Sequence, residues 1–112
     1  MPLYESVFIL KQDVPEQEVR STIASLLIKL QEKGGTLIKE EYWGLRPLAC
    51  KIKNNERGHY VVLAIDASHE AVQELETYYK VNEEVIRFLT LKVKEIEKTA
   101  SIMMQSSIEK DR

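Results

Sequence analysis

Two β-rich runs joined by a polar turn constrain the fold of this chain more than any other stretch of its sequence. The first run spans residues 36–53, the second spans residues 59–65, and a polar loop of about five residues, 54–58, lies between them. Such runs around a loop with Asn and Gly predict one β-hairpin with a longer connection. Gly44 and Pro47 are unusual in a central strand, because glycine often marks a bulge and proline cannot donate a ladder hydrogen bond. The first run is therefore expected to be a bent edge strand.

The segments on both sides of the hairpin predict two further strands and two helices. Residues 4–11 and 85–94 are rich in Val, Ile and Phe and are expected to form the first and last strands. A stripe of apolar residues at helical spacing follows Asp13, which is the expected N-cap of the first helix, and glycines 34–35 are expected to end it. Ser68 is the expected cap of the second, shorter helix.

The predicted order of elements is β-α-β-β-α-β. Two right-handed crossovers joined by a hairpin give the split βαβ, ferredoxin-like arrangement of the α+β class, which is a four-stranded antiparallel sheet with two helices on one face. We expect one domain over residues 1–94. From residue 95 to residue 112, charges, Ser and Met mix without strong periodicity, which predicts a flexible or partly helical C-terminal tail.

The strands also predict an apolar surface that the helices do not cover. Strands covered on one face should alternate apolar and polar side chains, and these strands largely do not. If Phe8, Val61 and Phe88 face the helices, a second set of apolar side chains lies on the open face. The opposite assignment of the two faces stays possible, and it also leaves one apolar set uncovered. A patch of this kind indicates a partner, unless the tail folds over it or the chain self-associates. The second set is Val7, Ile9, Tyr60, Val62, Leu89 and Leu91.

Composition and charge exclude several classes. A net charge of -2 and a pI near 5.7 give no whole-molecule reason to expect nucleic acid, so RNA binding would need local basic patches or a basic partner. The single Cys50 excludes an intramolecular disulfide, and we expect it to be a small core residue. No apolar run approaches the length of about 18 residues that a membrane span requires, and no signal peptide is visible. These features predict a cytoplasmic protein.

No group of residues predicts catalysis. Ser68, His69 and Glu70 have the residue types of a triad, but contiguous residues at a helix start do not point together. His59 and His69 have no cysteine or carboxylate at metal-ligand spacing. We therefore expect no enzyme activity, no metal, no cofactor and no small-molecule substrate.

A stand-alone RNA recognition motif has the same order of elements and is therefore an alternative interpretation of this chain. Its third strand carries exposed rings that stack on bases, and here Val61 and Ala64 stand where rings are needed. Base stacking on the sheet is thus weakly supported. Phosphate contacts by scattered basic side chains stay open; the alternative is that these side chains form a solvated rim. The basic residues are Arg46, Lys51, Lys53, Arg57, Arg87, Lys92 and Lys94.

Several short motifs resemble one family. They are Tyr4-Glu5, Trp43-Gly44-Leu45-Arg46 with Leu48-Ala49, Gly58-His59-Tyr60, Asn82-Glu83-Glu84-Val85-Ile86-Arg87 and Lys92-Val93-Lys94. In this order and spacing, over roughly residues 3–94, they resemble the bacterial small-subunit ribosomal protein S-six family. The resemblance implies a ferredoxin-like fold and a place in the ribosome. It also implies binding to the central domain of 16S rRNA together with ribosomal protein S-eighteen.

The resemblance assigns the leftover apolar face to the protein partner. A nearly neutral protein releases few counterions, so its own RNA affinity should be low, and a basic partner would add the missing charge. The expected partner contacts are the apolar set on the open face. The residues expected nearer the RNA are Tyr4, Trp43, Arg46, Arg87, Lys92 and Lys94. Two alternatives remain: a homodimeric ligand-binding module of the same fold, and a stand-alone single-strand RNA-binding domain.

Overall fold

A computed structural model describes residues 2–95 and has the predicted order of elements. The elements are β1 (Leu3–Lys11), α1 (Glu16–Glu32), β2 (Thr36–Ile52), β3 (Asn55–Asp66), α2 (His69–Val81) and β4 (Val85–Val93). The strands form one antiparallel sheet in the order β2-β3-β1-β4. The α+β, ferredoxin-like prediction is confirmed. The predicted tail lies outside the described residues, apart from Glu95.

The core lies between the two helices and one face of the sheet. Phe8 and Leu10 of β1 and Val61, Leu63 and Ile65 of β3 pack there with the apolar stripes of both helices. Full burial of each such side chain stabilises the fold by about 1.5–3 kcal/mol. Of the two possible parities, the sheet therefore has the one in which Phe8 and Val61 face the helices.

A short polar network crosses this core between β1, α2 and β4. The Ser6 hydroxyl oxygen lies 2.8 Å from the Tyr79 hydroxyl and 3.0 Å from Thr90 Oγ1. The Tyr79 ring packs against the rings of Phe8 and Phe88, with centroid separations of 5.0 and 5.2 Å. Burial raises the pKa of Tyr79 far above its usual range, because the phenolate would be desolvated there. The network fixes α2 over the β1–β4 side of the sheet.

The hairpin between β2 and β3 has a two-residue turn, so the predicted loop of about five residues is wrong. Lys53 and Asn54 both have positive φ, 46° and 67°, which is the pattern of a type I′ turn. The hydrogen bonds of the buried Asn55 side chain stabilise this short turn. Its Nδ2 donates to the carbonyl oxygens of Ile52 and Lys53, and its Oδ1 accepts from the Gln12 amide at 3.0 Å.

The predicted bent edge strand is confirmed. β2 is the outermost strand on its side, and its register shifts between Tyr42 and Gly44. Gly44 has φ +78°, a conformation that costs a non-glycine residue energy. Cys50 lies exposed near the end of this strand, so its predicted place in the core is wrong. The physical reason is that the end of the hairpin extends past the part of the sheet that the helices cover.

The two predicted helix caps have different outcomes. Ser68 Oγ accepts a hydrogen bond from the Ala71 amide at 3.2 Å, which confirms the cap of α2. The Asp13 cap is wrong, because Pro15 is the N-cap of α1 and no side chain caps it. The extended backbone of Pro15, with ψ 150°, delays the helix to Glu16 and leaves Asp13 two residues too early. Glycines 34–35 follow the end of α1, as predicted.

Candidate functional site on the open face of the sheet

The pairing register brings the predicted partner residues together on the face opposite the helices. Val7 lies between Val62 of β3 and Leu89 of β4, and Ile9 pairs with Tyr60. Leu91 follows on β4 beside Glu5. All six residues of the second apolar set, namely Val7, Ile9, Tyr60, Val62, Leu89 and Leu91, thus share the open face.

The six residues differ in depth. Leu89 and Leu91 are 52% and 42% exposed, and Val7 and Tyr60 are half-buried. Val62 and Ile9 are only 1% and 6% exposed, so neighbouring side chains already cover them. The accessible part of the patch is therefore Val7, Tyr60, Leu89 and Leu91. We call these four residues the β4 patch.

Ile9 is buried because it leans over a glycine on the next strand. A Cβ on Gly58 would stand 2.3 Å from Ile9 Cγ2 and 3.2 Å from the Leu10 carbonyl oxygen. Real Cβ atoms essentially never stand as close as 2.3 Å to another heavy atom, so any other residue at position 58 would force Ile9 or the backbone to shift. Ile9 and Val62 form an inner layer of the open face that supports the β4 patch from below.

A chain of polar contacts covers the open face on the β2 side. Lys39 Nζ lies 3.6 Å from Glu41 Oε2, and Trp43 Nε1 donates to Glu41 Oε1 at 3.4 Å. The Arg46 guanidinium carbon stands 4.7 Å from the Trp43 ring centroid, and Arg46 Nε donates to the Trp43 carbonyl oxygen at 3.3 Å. We call these four residues the β2 cover. The cation–π contact and the hydrogen bond hold the Arg46 side chain over the ring.

The predicted RNA residues do not form one cluster. Trp43 and Arg46 belong to β2, while Arg87 and Lys92 belong to β4, on the opposite edge. Neighbouring strands are about 4.8 Å apart, so the two edges are separated by roughly 14 Å. Arg87 pairs with Ile9 and lies on the open face, whereas Lys92 pairs with Tyr4 and shares its side of the sheet. Lys94 follows the end of β4.

Tyr4 is the predicted RNA residue that the structure places out of reach. It is 8% exposed and packs in the core on the helix side. Its parity is that of Ser6 and Phe8 on the same strand. The Tyr4 ring is therefore part of the core and offers no exposed face on which a base could stack.

Sequence reasoning missed the carboxylates of the open face. Glu5 is 4% exposed and lies between Ala64 and Leu91, next to the β4 patch. Glu41 is part of the β2 cover, and Asp66 pairs with Leu3 at the end of the sheet. The sequence contained a signal for them, because a buried acidic residue within an apolar strand is rare unless it has a partner.

Sequence reasoning also missed a cluster on the helix side of β2. Tyr42 Oη lies 2.8 Å from Nδ1 of the buried His59, and the Arg20 guanidinium carbon stands 5.7 Å from the Tyr42 ring centroid. Burial, and after it the Glu16 carboxylate, raises the pKa of Tyr42, while Arg20 lowers it. The contacts tie α1 to β2, and we assign them a structural role.

Residues 2–95 contain neither a candidate metal cluster nor a helix that could span a membrane. No group of three or more His, Cys, Asp or Glu side chains in this range stands close enough to hold a metal ion. Within the same range, neither helix combines the length and the hydropathy of a membrane span.

Comparison with known protein sequences gives one consistent family. The family model described as Ribosomal protein S6 matches residues 3–92. Small ribosomal subunit protein bS6 of Paramagnetospirillum magneticum is 46% identical over 112 residues, which are 100% of this chain and 78% of the relative. The protein of the same name from Rickettsia prowazekii is 43% identical over 106 residues, which are 95% of this chain and 88% of the relative.

A solved structure shares the fold along nearly the whole chain. The crystal structure of 30S ribosomal protein S6 from Thermotoga maritima has a TM-score of 0.78 with this chain, at 28% sequence identity. The match covers 99% of this chain and 98% of the other.

Proposed function

Since the chain belongs to the ribosomal protein S6 family, a component of the small ribosomal subunit, we propose that it binds the central domain of 16S rRNA together with ribosomal protein S-eighteen. Its place is the ribosome, in the cytoplasm. Its role is structural rather than enzymatic: it completes a composite surface during subunit assembly.

The observation that carries the proposal is the β4 patch. Its two leucines lie half exposed and side by side on one strand. Burying a leucine completely is worth about 1.5–3 kcal/mol, so covering both favours a protein partner with an apolar surface of its own. A phosphate backbone has no such surface, so RNA alone would leave this gain unused.

The charge of the chain supports a basic partner. The whole chain has a net charge of -2. Complementary charge steers association and sets orientation more than it adds affinity. A basic partner on the β4 patch would be attracted by this charge, and it would bring the positive charge that RNA binding needs.

The two basic edges of the sheet support RNA contact beside that partner. Arg46, held over the Trp43 ring, lies on the β2 edge, and Arg87, Lys92 and Lys94 lie at the β4 edge. A protein seated on the β4 patch leaves the β2 edge open. The basic side chains of that partner would then join Arg87 on the open face, while Lys92 would contact the RNA around the β4 edge. Each phosphate contact adds about 0.7–0.9 to the slope of log affinity against log salt.

The test is a titration of a 16S central-domain RNA fragment with this protein, with and without S-eighteen, at two salt concentrations. We expect strong binding only with the partner, and weaker binding at the higher salt. Arg87→Ala should lower the salt slope by about 0.7–0.9 without unfolding the domain. Lys33→Ala, on the helix side, is the matched control and should leave the slope unchanged. Binding that does not depend on the partner would contradict the composite surface.

Self-association is the second candidate, and the same patch favours it. Two copies joined through Leu89 and Leu91 would bury the same apolar side chains as a partner protein. The two copies would, however, carry the same net charge of -2, and like charges oppose their association. Sedimentation of the isolated chain distinguishes the two: a monomer that becomes a heterodimer with S-eighteen supports our proposal, and a stable homodimer supports the alternative.

A further inference from the structure

The pairing of β4 with β1 determines which side chains of β4 face the open side of the sheet. Within residues 2–95, β4 is an edge strand and pairs with β1 alone. Its sequence, VIRFLTLKV, has apolar side chains at both odd and even positions, so hydrophobicity alone does not specify its two faces. A shift of the pairing by one residue would exchange the faces, and Leu89 and Leu91 would leave the β4 patch.

A bulge near the start of β4 supplies the residue that such a shift needs. The register changes between Ile9 and Leu10 of β1, and it leaves Ile86 as an extra residue on β4. If Ile86 paired with Ile9, the rest of β4 would move by one position along β1. The first pair of the strand, between Leu10 and Val85, could stay as it is. The shifted register therefore needs no change in the turn before β4.

Thr90 is the residue whose side chain distinguishes the two registers. In the structure it lies opposite Ser6, and its Oγ1 is 3.0 Å from Ser6 Oγ. In the shifted register, Leu89 would lie opposite Ser6 and Thr90 would turn to the open face. The hydroxyl of Ser6 would then lose its contact with β4.

The contact matters because the other two hydroxyls of the network are buried. Ser6 and Tyr79 are 0% and 1% exposed, and their oxygens are 2.8 Å apart. Two hydroxyls that share one hydrogen bond leave one proton without an acceptor, and in the shifted register that proton would be buried. Both buried protons find an acceptor when Tyr79 donates to Ser6 and Ser6 donates to Thr90, which is half-buried. Because a buried donor without an acceptor is costly, the hydroxyls favour the register of the structure.

We propose that Ser6, Tyr79 and Thr90 are positioning residues that fix the register of β4 and so keep the two leucines of the β4 patch on the open face. Setting register is the best-attested use of a buried polar group. Arg87 opposes the same shift, but a long side chain on an edge strand can still reach solvent from the helix side. The register is a property of the free chain, and only its effect on partner binding rests on the proposed function.

The test is NMR of the full ¹⁵N,¹³C-labelled chain in which both buried hydroxyls are removed, Ser6→Ala with Tyr79→Phe. The change deletes the two hydroxyl oxygens and with them the buried proton that disfavours the shifted register. We expect a second set of signals from residues 87–93, with about 10% of the total intensity, where the wild type has one set. In the second set, cross-strand contacts should join residue 6 to Leu89 instead of Thr90.

A matched control removes the same two kinds of hydroxyl from the helices. In Ser21→Ala with Tyr78→Phe, the first hydroxyl bonds within α1 and the second bonds the C-cap residue of α2. This control should keep one set of signals. A single set in Ser6→Ala with Tyr79→Phe, or second sets of equal intensity in that variant and the control, would overturn the proposal.

Two substitutions at Thr90 provide the test if the first variant does not fold. Thr90→Ser keeps the hydroxyl and Thr90→Ala removes it, while both lose the same methyl group. We expect the second set in Thr90→Ala and not in Thr90→Ser. The same spectrum for both would contradict a role of the hydroxyl in setting the register.

Addition of S-eighteen separates the register from the proposed function. The spectra above contain neither S-eighteen nor rRNA, so they test the register alone. At saturation, S-eighteen should deplete the second set, because it binds the register that exposes the leucines. A second set that persists at saturation would still support the register assignment, and it would contradict the proposed partner contact.

Discussion

The two halves of the open face differ although they belong to one sheet. On the β2 half, the Lys39, Glu41, Trp43 and Arg46 side chains contact one another and cover the strands beneath. On the β4 half, Leu89 and Leu91 remain exposed. The β2 half is covered by its own side chains, whereas the β4 half leaves two leucines that a partner would bury. The side chains that each half leaves uncovered are thus the basis of the proposed partner contact.

The largest effect should come from placing charge on the β4 patch. We expect Leu89→Lys with Leu91→Lys to weaken S-eighteen binding by about 3 kcal/mol, because two cations would be desolvated against a basic partner. Isothermal titration calorimetry measures the affinity. Ile28→Lys, at a 57% exposed position of α1, is the matched control and should leave it unchanged. Equal affinities for the double variant and the control would remove the β4 patch from the interface.

A substitution that disturbs the inner layer should change the stability of the fold rather than the affinity for the partner. Gly58→Ala is expected to lower the free energy of unfolding by about 2 kcal/mol, since its Cβ would overlap Ile9 Cγ2. Denaturant titration gives this value. Gly44→Ala meets no atom within 4 Å and should cost only about 1 kcal/mol, from its positive φ. If Gly44→Ala proves the more damaging change, close packing is not what fixes the inner layer.

The β2 cover should act on RNA and not on the protein partner. Arg46→Ala is expected to weaken RNA binding of the S-eighteen complex by about 1 kcal/mol and to lower the salt slope by about 0.7–0.9, the loss of one phosphate contact. Affinity for S-eighteen alone should not change. A loss of partner affinity in Arg46→Ala would mean that both halves bind the same protein.

The smallest effect should come from the ion pair within the β2 cover. Glu41→Gln removes the partner of Lys39 at 3.6 Å and the acceptor charge near Trp43. We expect a loss of about 0.5–1 kcal/mol in the free energy of unfolding, in the upper part of the range for partly exposed pairs. Thermal unfolding at low and high salt measures it, and the difference from the wild type should shrink at high salt. A difference that grows with salt would show that the pair does not act through charge.

Local sequence signals predicted those features that depend on neighbouring residues alone. Ser68 capped α2 and Gly44 marked a bulge, because a hydroxyl at a helix start and a glycine in a strand act within a few residues. The Asp13 cap failed because Pro15 delayed the helix. The prediction of a five-residue loop was wrong because the Asn55 side chain stabilises a tighter turn. Its Oδ1 accepts a hydrogen bond from the backbone N–H of Gln12, which is distant in sequence.

The sequence predicted which face of the sheet carries the candidate site, but not how deeply each of its residues is buried. Strand alternation places Val7 and Val62 on one face, but only the neighbouring strands determine that Val62 is buried and Leu89 exposed. The same alternation places Tyr4 with Phe8 in the core, and a motif resemblance does not carry that information. Depth depends on side chains that are distant in sequence, such as Ile9 over Gly58.

The most direct test of the central claim is to map S-eighteen on this chain by amide NMR. Titration of the ¹⁵N-labelled protein with unlabelled S-eighteen reports which amides change. We expect the largest changes around Val7, Leu89 and Leu91, smaller ones along the β2 cover, and none around Ile28 of α1. Changes centred on β2 or on the helices, with β4 unaffected, would contradict it.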